Sequence, residues 1–204
     1  MPRHALIIVD LQNDFVEGGA LAVSGGLELI PLANHWMPQF DVVIATQDWH
    51  PKNHQSFASQ HPGVSIGDVF DLNGLSQVAW PDHCIQNSFW AKLVDGLNLS
   101  RINTIIQKGT DPEIDSYSGF FDNGHRKATC LADFLRSNDV DRVSVMGIAT
   151  DYCVRFTALD AVTAGFQTTL ILPGCRGVEM QTGDIKAAVE QMAAAGVTIS
   201  PETP

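Results

Sequence analysis

Short apolar runs that alternate with helical patterns are the feature that most constrains the fold of this sequence. The runs are rich in β-branched residues and lie at residues 4–10, 42–48, 102–107, 142–146, 167–172 and 197–199. Strands that alternate with helices predict an α/β protein with a doubly wound, six-stranded, mostly parallel sheet and helices on both faces. The 204 residues predict a single domain over residues 1–204.

Helical periodicity predicts helices near residues 26–37, from 129 onward, near 156–165 and over 182–195, with a short helix at 88–97. Thr129 and Thr182 are the predicted N-caps of the second and last of the longer helices. Residues 51–87 and 110–127 are predicted as loops. Loops of such length in a compact domain are usually functional.

The composition restricts the partners of the protein. A net charge of −11 without a basic stripe argues against nucleic acid and favours a small neutral substrate. No apolar run is long enough for a membrane span or a signal peptide, so we expect no membrane partner. The four cysteines form no C-x-x-C pair, which favours reduced thiols in a cytoplasmic protein.

Four strands are followed or ended by residues that carry chemistry, and parallel strands bring their carboxyl ends to one edge. Asp10, Lys108 and Cys153 form the first predicted cluster. Cys153 would be the nucleophile, Asp10 would accept its proton, and Lys108 would stabilise both charged forms. Because Cys153 lies where a strand passes into a helix, the helix amides are expected to lower its pKa and to bind an oxyanion. Alternatively, Cys153 is a buried apolar side chain, as free cysteines often are.

A second cluster predicts a metal site. Asp48 and His50 are two residues apart after the second strand, and His83 lies in the long loop. Two imidazoles and one carboxylate leave coordination positions open on a Zn, Fe or Mn ion. His54 and His61, in the same loop, are weaker candidates for metal ligands. Cys84, next to His83, could bind a soft metal instead.

Aromatic residues are expected near the same edge of the sheet. Phe15, Trp80 and Phe120 all lie in predicted loops there. They could line a pocket for a flat ring, or they could simply cover the end of the sheet.

Six separated motifs, in order and spread over nearly the whole chain, resemble those of the nicotinamidases in the isochorismatase-like hydrolase family. They are VDLQNDF at 9–15 with GGAL at 18–21; DWHP at 48–51 with NH at 53–54 and SF at 56–57; WPDHC at 80–84; KG at 108–109; YSGF at 117–120; and GIATDYCV at 147–154.

The resemblance implies a Cys–Asp–Lys triad at Cys153, Asp10 and Lys108. It also implies one divalent metal ion, zinc foremost with iron or manganese as alternatives, on Asp48, His50 and His83. In relatives the peptide bond between the positions of Ile148 and Ala149 is cis, and the amides of Ala149 and Cys153 form an oxyanion hole. Some relatives use a fourth metal ligand from the loop after His50, near the position of His54.

The implied reaction converts nicotinamide to nicotinate and ammonia through a thioester, with pyrazinamide as a further substrate and Phe15 and Trp80 beside the ring. The family suggests a role in pyridine nucleotide salvage. The sequence is compatible with either a monomer or a homo-oligomer. Two alternatives remain at this point. One is another amidase of the family, acting on a carbamoyl or open-chain amide, and the other is a non-enzymatic metal- or thiol-binding protein.

Overall fold

A six-stranded sheet forms the centre of the protein in the computed structural model, which describes residues 3–201. Its strands are β1 (Arg3–Val9), β2 (Val42–Asp48), β5 (Thr104–Lys108), β6 (Val140–Ile148), β7 (Gln167–Arg176) and β8 (Thr198–Ser200). They are ordered β5-β2-β1-β6-β7-β8, and every neighbouring pair is parallel. The predicted fold class and all six strands are confirmed. The ends of the predicted domain, residues 1–2 and 202–204, lie outside the described residues.

The central position of β1 follows from its composition. Its residues Leu6, Ile7, Ile8 and Val9 are fully buried, and the strand pairs with β2 on one side and β6 on the other. A strand covered on both faces can be continuously apolar, and each such side chain contributes about 1.5–3 kcal/mol when buried. The hydrophobic effect therefore fixes the strand that carries Asp10 in the middle of the sheet.

Within residues 3–201, four α-helices pack with the sheet: α1 (Leu29–Trp36), α2 (Leu131–Ser137), α3 (Arg155–Thr163) and α4 (Asp184–Ala194). The N-cap of α2 is Cys130 rather than the predicted Thr129, although the Thr129 hydroxyl accepts a hydrogen bond from the Leu131 amide at 3.1 Å. The predicted cap of α4 at Thr182 is wrong. Gly183 precedes the helix in the left-handed region, and Asp184 accepts a hydrogen bond from the Gln181 amide instead.

The short helix predicted at residues 88–97 is absent. The Lys92 and Trp90 carbonyls accept hydrogen bonds from the Asn13 and Asp14 amides, both at 3.0 Å. The segment therefore satisfies its backbone groups against the loop after β1 rather than within a helix. Within the described range of 3–201, no helix is both long and apolar enough to cross a membrane.

The loop predicted at residues 51–87 contains an antiparallel hairpin, formed by β3 (Val69–Leu72) and β4 (Leu75–Val78). Asn73 and Gly74 connect its strands, both with positive φ, at 53° and 84°. An Asn-Gly pair between two short strands is a strong sequence signal for a tight hairpin turn. The prediction of an irregular segment here was wrong because that signal was not used.

The strand order determines what meets at the carboxyl edge of the sheet. β5, β2, β1 and β6 are consecutive neighbours, and Asp48 and Lys108 are direct cross-strand partners. Asp10 follows β1 and Cys153 follows β6. Four chemically active side chains from four adjacent strands are therefore delivered to one place.

Candidate active site and metal centre

The predicted cluster of Asp10, Lys108 and Cys153 is assembled around the Lys108 ammonium. Its Nζ lies 2.9 Å from Asp10 Oδ2, 2.5 Å from Asp48 Oδ1 and 3.4 Å from Cys153 Sγ. It also donates to the Ser116 carbonyl at 2.9 Å. Burial alone would lower the pKa of Lys108, but the two carboxylates raise it well above its usual value. The lysine is therefore a buried, permanent cation between two carboxylates.

Asp10 is also fully buried, but its carboxyl group, unlike the Lys108 ammonium, is not held permanently charged. Burial raises the pKa of its carboxyl to about 6, even though Lys108 acts in the opposite direction. The Thr46 hydroxyl donates to Asp10 Oδ1 at 2.6 Å and fixes the orientation of the carboxylate. Near neutral pH this side chain is ionised, yet it binds a proton more readily than an ordinary aspartate, which suits a general base.

Cys153 lies in one turn of π-helix, Thr150–Val154, between β6 and α3. Burial raises the pKa of its thiol well above the usual value, and the carboxylates of Asp10 and Asp48 add to this effect, while Lys108 opposes it. The expectation of a lowered thiol pKa is therefore wrong for this environment. The resting side chain is a protonated thiol, so nucleophilic attack requires a base that removes the proton.

The peptide bond between Ile148 and Ala149 is cis, as the resemblance implied. The preceding Gly147 has a φ of 127°, and a β-carbon there would overlap the Val9 carbonyl of the adjacent strand. Only glycine fits this close approach. Ala149 and Cys153 both line the same cavity at the end of the sheet.

Donor atoms of Asp48, His50 and His83 lie within 4.8 Å of one another. The His50 and His83 Nε2 atoms are 3.7 and 4.0 Å from Asp48 Oδ2. The Nδ1 atoms of the two rings donate to the carbonyls of Gly109 and Pro81, at 2.9 and 2.7 Å. In the neutral form of each ring the proton then resides on Nδ1, which leaves the Nε2 lone pair on the side of Asp48, as in histidines that bind metal. His50 Nε2 is also buried and has no hydrogen-bond partner within the described part of the chain, so this donor set fits a divalent metal ion.

Asp48 belongs to both clusters. Its Oδ1 binds the Lys108 ammonium and its Oδ2 faces the two imidazoles. Burial would raise the pKa of Asp48, but Lys108 and His50 together hold it well below its usual range. The carboxylate is thus ionised and couples the thiol cluster to the metal site through one side chain.

The weaker ligand candidates are placed differently. His54 is buried, with its ring 4.4 Å from the ring of His50, and burial lowers its pKa to about 4. His61 is bound through Nε2 to the Gln55 carbonyl at 2.8 Å. Burial raises the pKa of the Cys84 thiol well above its usual value. Among residues 3–201, neither His61 nor Cys84 joins a cluster with metal-binding spacing.

Residues of both clusters line one cavity at the carboxyl edge of the sheet, among them Asp48, His83 and Cys153. Phe15 and Trp80 line it, as predicted, beside His83 and Cys153. Phe120 does not line it, because its side chain is buried in the core, with its ring 6.1 Å from that of Phe166. The arrangement therefore gives no support to substrate contact by Phe120.

Sequence reasoning missed several residues that line the cavity: Leu21, Val23, Asp115, Tyr117, Tyr152 and Val178. Tyr117 lies within the YSGF motif and Tyr152 next to Cys153, so both positions carried a signal that was not used. The Tyr117 hydroxyl accepts a hydrogen bond from Trp80 Nε1 at 3.0 Å and fixes the indole. Val178 has no comparable signal in the sequence.

The chain is similar to known proteins in both sequence and structure. Residues 4–202 match the isochorismatase domain family. The chain is 51% identical over 203 residues to a nicotinamidase of Escherichia coli, covering 98% of this chain and 95% of that one. A solved nicotinamidase/pyrazinamidase of Acinetobacter baumannii superposes with a TM-score of 0.94 at 43% identity, covering 98% and 96%. A pyrazinamidase of Pyrococcus horikoshii solved in complex with zinc gives a TM-score of 0.79 at 39% identity, covering 98% and 99%.

Proposed function

Because this chain belongs to the isochorismatase family, we propose that it is a nicotinamidase, which hydrolyses nicotinamide to nicotinate and ammonia and also accepts pyrazinamide. The observation that carries the proposal is the position of Lys108 Nζ, within 3.4 Å of both Asp10 and Cys153 and bound to the metal-site residue Asp48. A thiol, a base and a metal site around one aromatic-lined cavity suit a flat heteroaromatic amide. The similarity to curated nicotinamidases supports this substrate. Nicotinate produced in this way would enter pyridine nucleotide salvage.

Acylation would begin with proton transfer from the Cys153 thiol to Asp10. The thiolate attacks the carboxamide carbon, and the oxyanion that forms is bound by the amides of Ala149 and Cys153. Lys108 stabilises the thiolate as it develops. Asp10 then gives its proton to the departing ammonia, which leaves a nicotinoyl thioester on Cys153.

Deacylation would use the same base. Asp10 takes a proton from a water molecule as that water attacks the thioester carbonyl, and the same amides bind the second oxyanion. Collapse of the intermediate expels the Cys153 thiolate, which recovers a proton from Asp10. The product carboxyl group loses its proton to solvent and leaves as nicotinate, and both side chains return to their resting states.

A zinc ion, with iron or manganese as alternatives, would be held by Asp48, His50 and His83. When bound, it supplies a Lewis-acid position for the pyridine nitrogen, which orients the ring rather than activating the carbonyl. Phe15 and Trp80, which line the cavity next to His83, would pack beside the ring.

Ammonia release from nicotinamide by the purified, zinc-loaded protein tests the proposal. Wild-type protein should release ammonia and nicotinate in equal amounts, and a Cys153→Ala variant should release neither. Cys130→Ala is the matched control, because Cys130 is an exposed free thiol outside the site, and it should retain full turnover. Absence of ammonia with the wild type, or turnover by Cys153→Ala comparable to wild type, would contradict the proposal.

A further inference from the structure

His54 presents a buried polar atom that the mechanism does not use. Its side chain is fully buried, and its Nε2 has no hydrogen-bond partner among residues 3–201. We propose that His54 and Asp115 together bind one water molecule beside His50, with His54 Nε2 as donor and Asp115 as acceptor, and that His54 is therefore not a metal ligand. This inference rests on the metal site of the proposed function.

The hydrogen bonds of His54 determine which of its ring nitrogens carries the proton. The Ser56 amide donates to His54 Nδ1 at 3.2 Å, and the Ser56 hydroxyl lies 2.8 Å from the same atom. An amide N–H only donates, so Nδ1 must accept. In a neutral imidazole the proton then resides on Nε2. An Nε2 that carries a proton donates a hydrogen bond and cannot bind a metal ion.

Asp115 supplies the complementary acceptor. Its carboxylate is buried and lines the substrate cavity. Oδ1 accepts a hydrogen bond from the Ser116 amide at 2.7 Å, and Oδ2 accepts one from Gln77 Nε2 at 3.0 Å. Each carboxylate oxygen can accept more than one hydrogen bond, so the side chain retains acceptor capacity.

The spacing of these groups fits a single water molecule. One ring nitrogen each of His50 and His54 and one oxygen of Asp115 lie within 4.8 Å of one another. Because the Nδ1 atoms of both rings have partners, Gly109 and Ser56, we infer that the Nε2 atoms are the ring nitrogens of this cluster. Three atoms no more than 4.8 Å apart share a point about 2.8 Å or less from each, which is an ordinary hydrogen-bond length.

A water molecule fits this position better than a second cation does. A cation needs lone pairs from every neighbour, whereas His54 offers a proton and Asp115 offers lone pairs. A water molecule can accept from the first and donate to the second. Its oxygen lies beside the metal ligand His50, where it is available to the ion as a non-protein ligand. The protein ligands would then number three, which leaves room for the substrate.

Two substitutions of His54 separate the roles of donor and ligand. His54→Gln retains an amide donor, whereas His54→Leu removes the donor at similar volume. If His54 binds the water, the Leu variant should weaken zinc binding about 10- to 100-fold, as outer partners of metal ligands do, and the Gln variant should bind zinc nearly as wild type. His61→Gln is the matched control, a histidine of the same loop bound to a carbonyl outside the cluster, and it should leave zinc binding unchanged. Dissociation constants would be measured by chelator competition.

The wild-type protein gives a second readout that does not depend on how the variants fold. With nitrogen-15-labelled histidine, long-range proton–nitrogen spectra should show His54 protonated on Nε2 in both the zinc-loaded and the metal-free protein. A His54 ring protonated on Nδ1, or equal large losses of zinc affinity in both variants, would identify a metal ligand and overturn the inference. No loss of affinity in the Leu variant would overturn it too. If the wild type binds no zinc, the metal site of the proposed function fails, and the metal-free spectra still test the donor assignment.

Discussion

At the residue scale, one buried side chain holds the two clusters together. The Lys108 ammonium contacts Asp10 and Asp48, and both of these carboxylates are buried. Two buried carboxylates without a cation would repel each other and pay the full cost of desolvation. Lys108 therefore stabilises the folded protein and also sets the charges that the chemistry uses.

Replacement of this lysine should destabilise the whole domain. Lys108→Met keeps the length of the side chain but leaves both carboxylates unpaired, so we expect a loss of about 3–5 kcal/mol in the free energy of unfolding. Urea denaturation at neutral pH measures it. The exposed Lys52→Met is the matched control and should stay within about 0.5 kcal/mol of wild type. Equal stabilities for the two variants would show that Lys108 does not hold the buried charges.

The raised pKa of Asp10 predicts the acid limb of the activity. The proposed base must be ionised, so kcat/KM for nicotinamide should fall as the pH drops below about 6.

The same raised pKa of Asp10 affects the stability of the fold in the opposite direction. Because the folded state binds this proton more tightly than the unfolded state, the stabilising contribution is complete below pH 3.8 and is lost as the pH rises through about 6. An acid limb near the ordinary aspartate value would mean that burial does not control this group.

At the scale of elements, the turn that carries Cys153 also supports a wall of the cavity. The Asp151 carboxylate accepts hydrogen bonds from the Val178 and Glu179 amides, at 3.0 and 2.7 Å. The Tyr152 hydroxyl donates to Met180 Sδ at 3.2 Å. Since Val178 lines the cavity, the segment of residues 177–180 is positioned by the residues just before the candidate nucleophile.

Loss of these bonds should weaken substrate binding more than the chemical steps. Asp151→Ala removes two hydrogen bonds to a charged acceptor, each contributing about 1.5–3 kcal/mol. Val178 should then lose its fixed position, and KM for nicotinamide should rise about tenfold or more while kcat changes less. Asp133→Ala, a change of an exposed aspartate on α2, is the control. A fall in kcat at constant KM would instead mean that Asp151 acts on the geometry of Cys153.

Much of this arrangement could be predicted because it depends on local patterns. Continuous apolar runs locate the strands, and in parallel sheets their carboxyl ends share an edge. That logic predicts that Asp10, Asp48, Lys108 and Cys153 lie together, as they do in the structure. The Asn73–Gly74 hairpin was predictable by the same kind of local rule.

Other features depend on tertiary contacts that no local pattern contains. Residues 88–97 lack a helix because they bond to the loop after β1. Phe120 and Trp80 are both loop aromatics, yet only Trp80 reaches the cavity. The thiol pKa of Cys153 depends on how far burial and two carboxylates outweigh one lysine. Such balances follow from three-dimensional distances rather than from residue type.

At the scale of the whole molecule, sheet topology explains why the thiol cluster and the candidate metal site lie next to each other. The order β5-β2-β1-β6 places Lys108 and Asp48 on one side of Asp10 and the Cys153 turn on the other. The long loop after β2 then brings His83 over the same edge, where it lines the cavity with Cys153. In the proposed function, the thiol and the metal therefore act on opposite ends of one small substrate. The net charge of −11 suits a neutral amide.

We propose that the thiol cluster performs the chemistry and that the metal orients the ring. This claim is tested most directly by measuring one variant with two substrates. His83→Ala removes a metal ligand and leaves Asp10, Lys108 and Cys153 in place. Nicotinamide and benzamide carry the same carboxamide, but only nicotinamide has a ring nitrogen. The difference between their losses of kcat/KM isolates the contact between that nitrogen and the metal. Metal content would be measured on the same samples by mass spectrometry.

If the metal orients the ring through its nitrogen, His83→Ala should lose bound metal and most of its kcat/KM for nicotinamide. Benzamide should be a poor substrate of the wild type and lose little more in the variant. Equal losses for the two amides would contradict the account, because the metal would then act on the fold or on water rather than on the ring nitrogen.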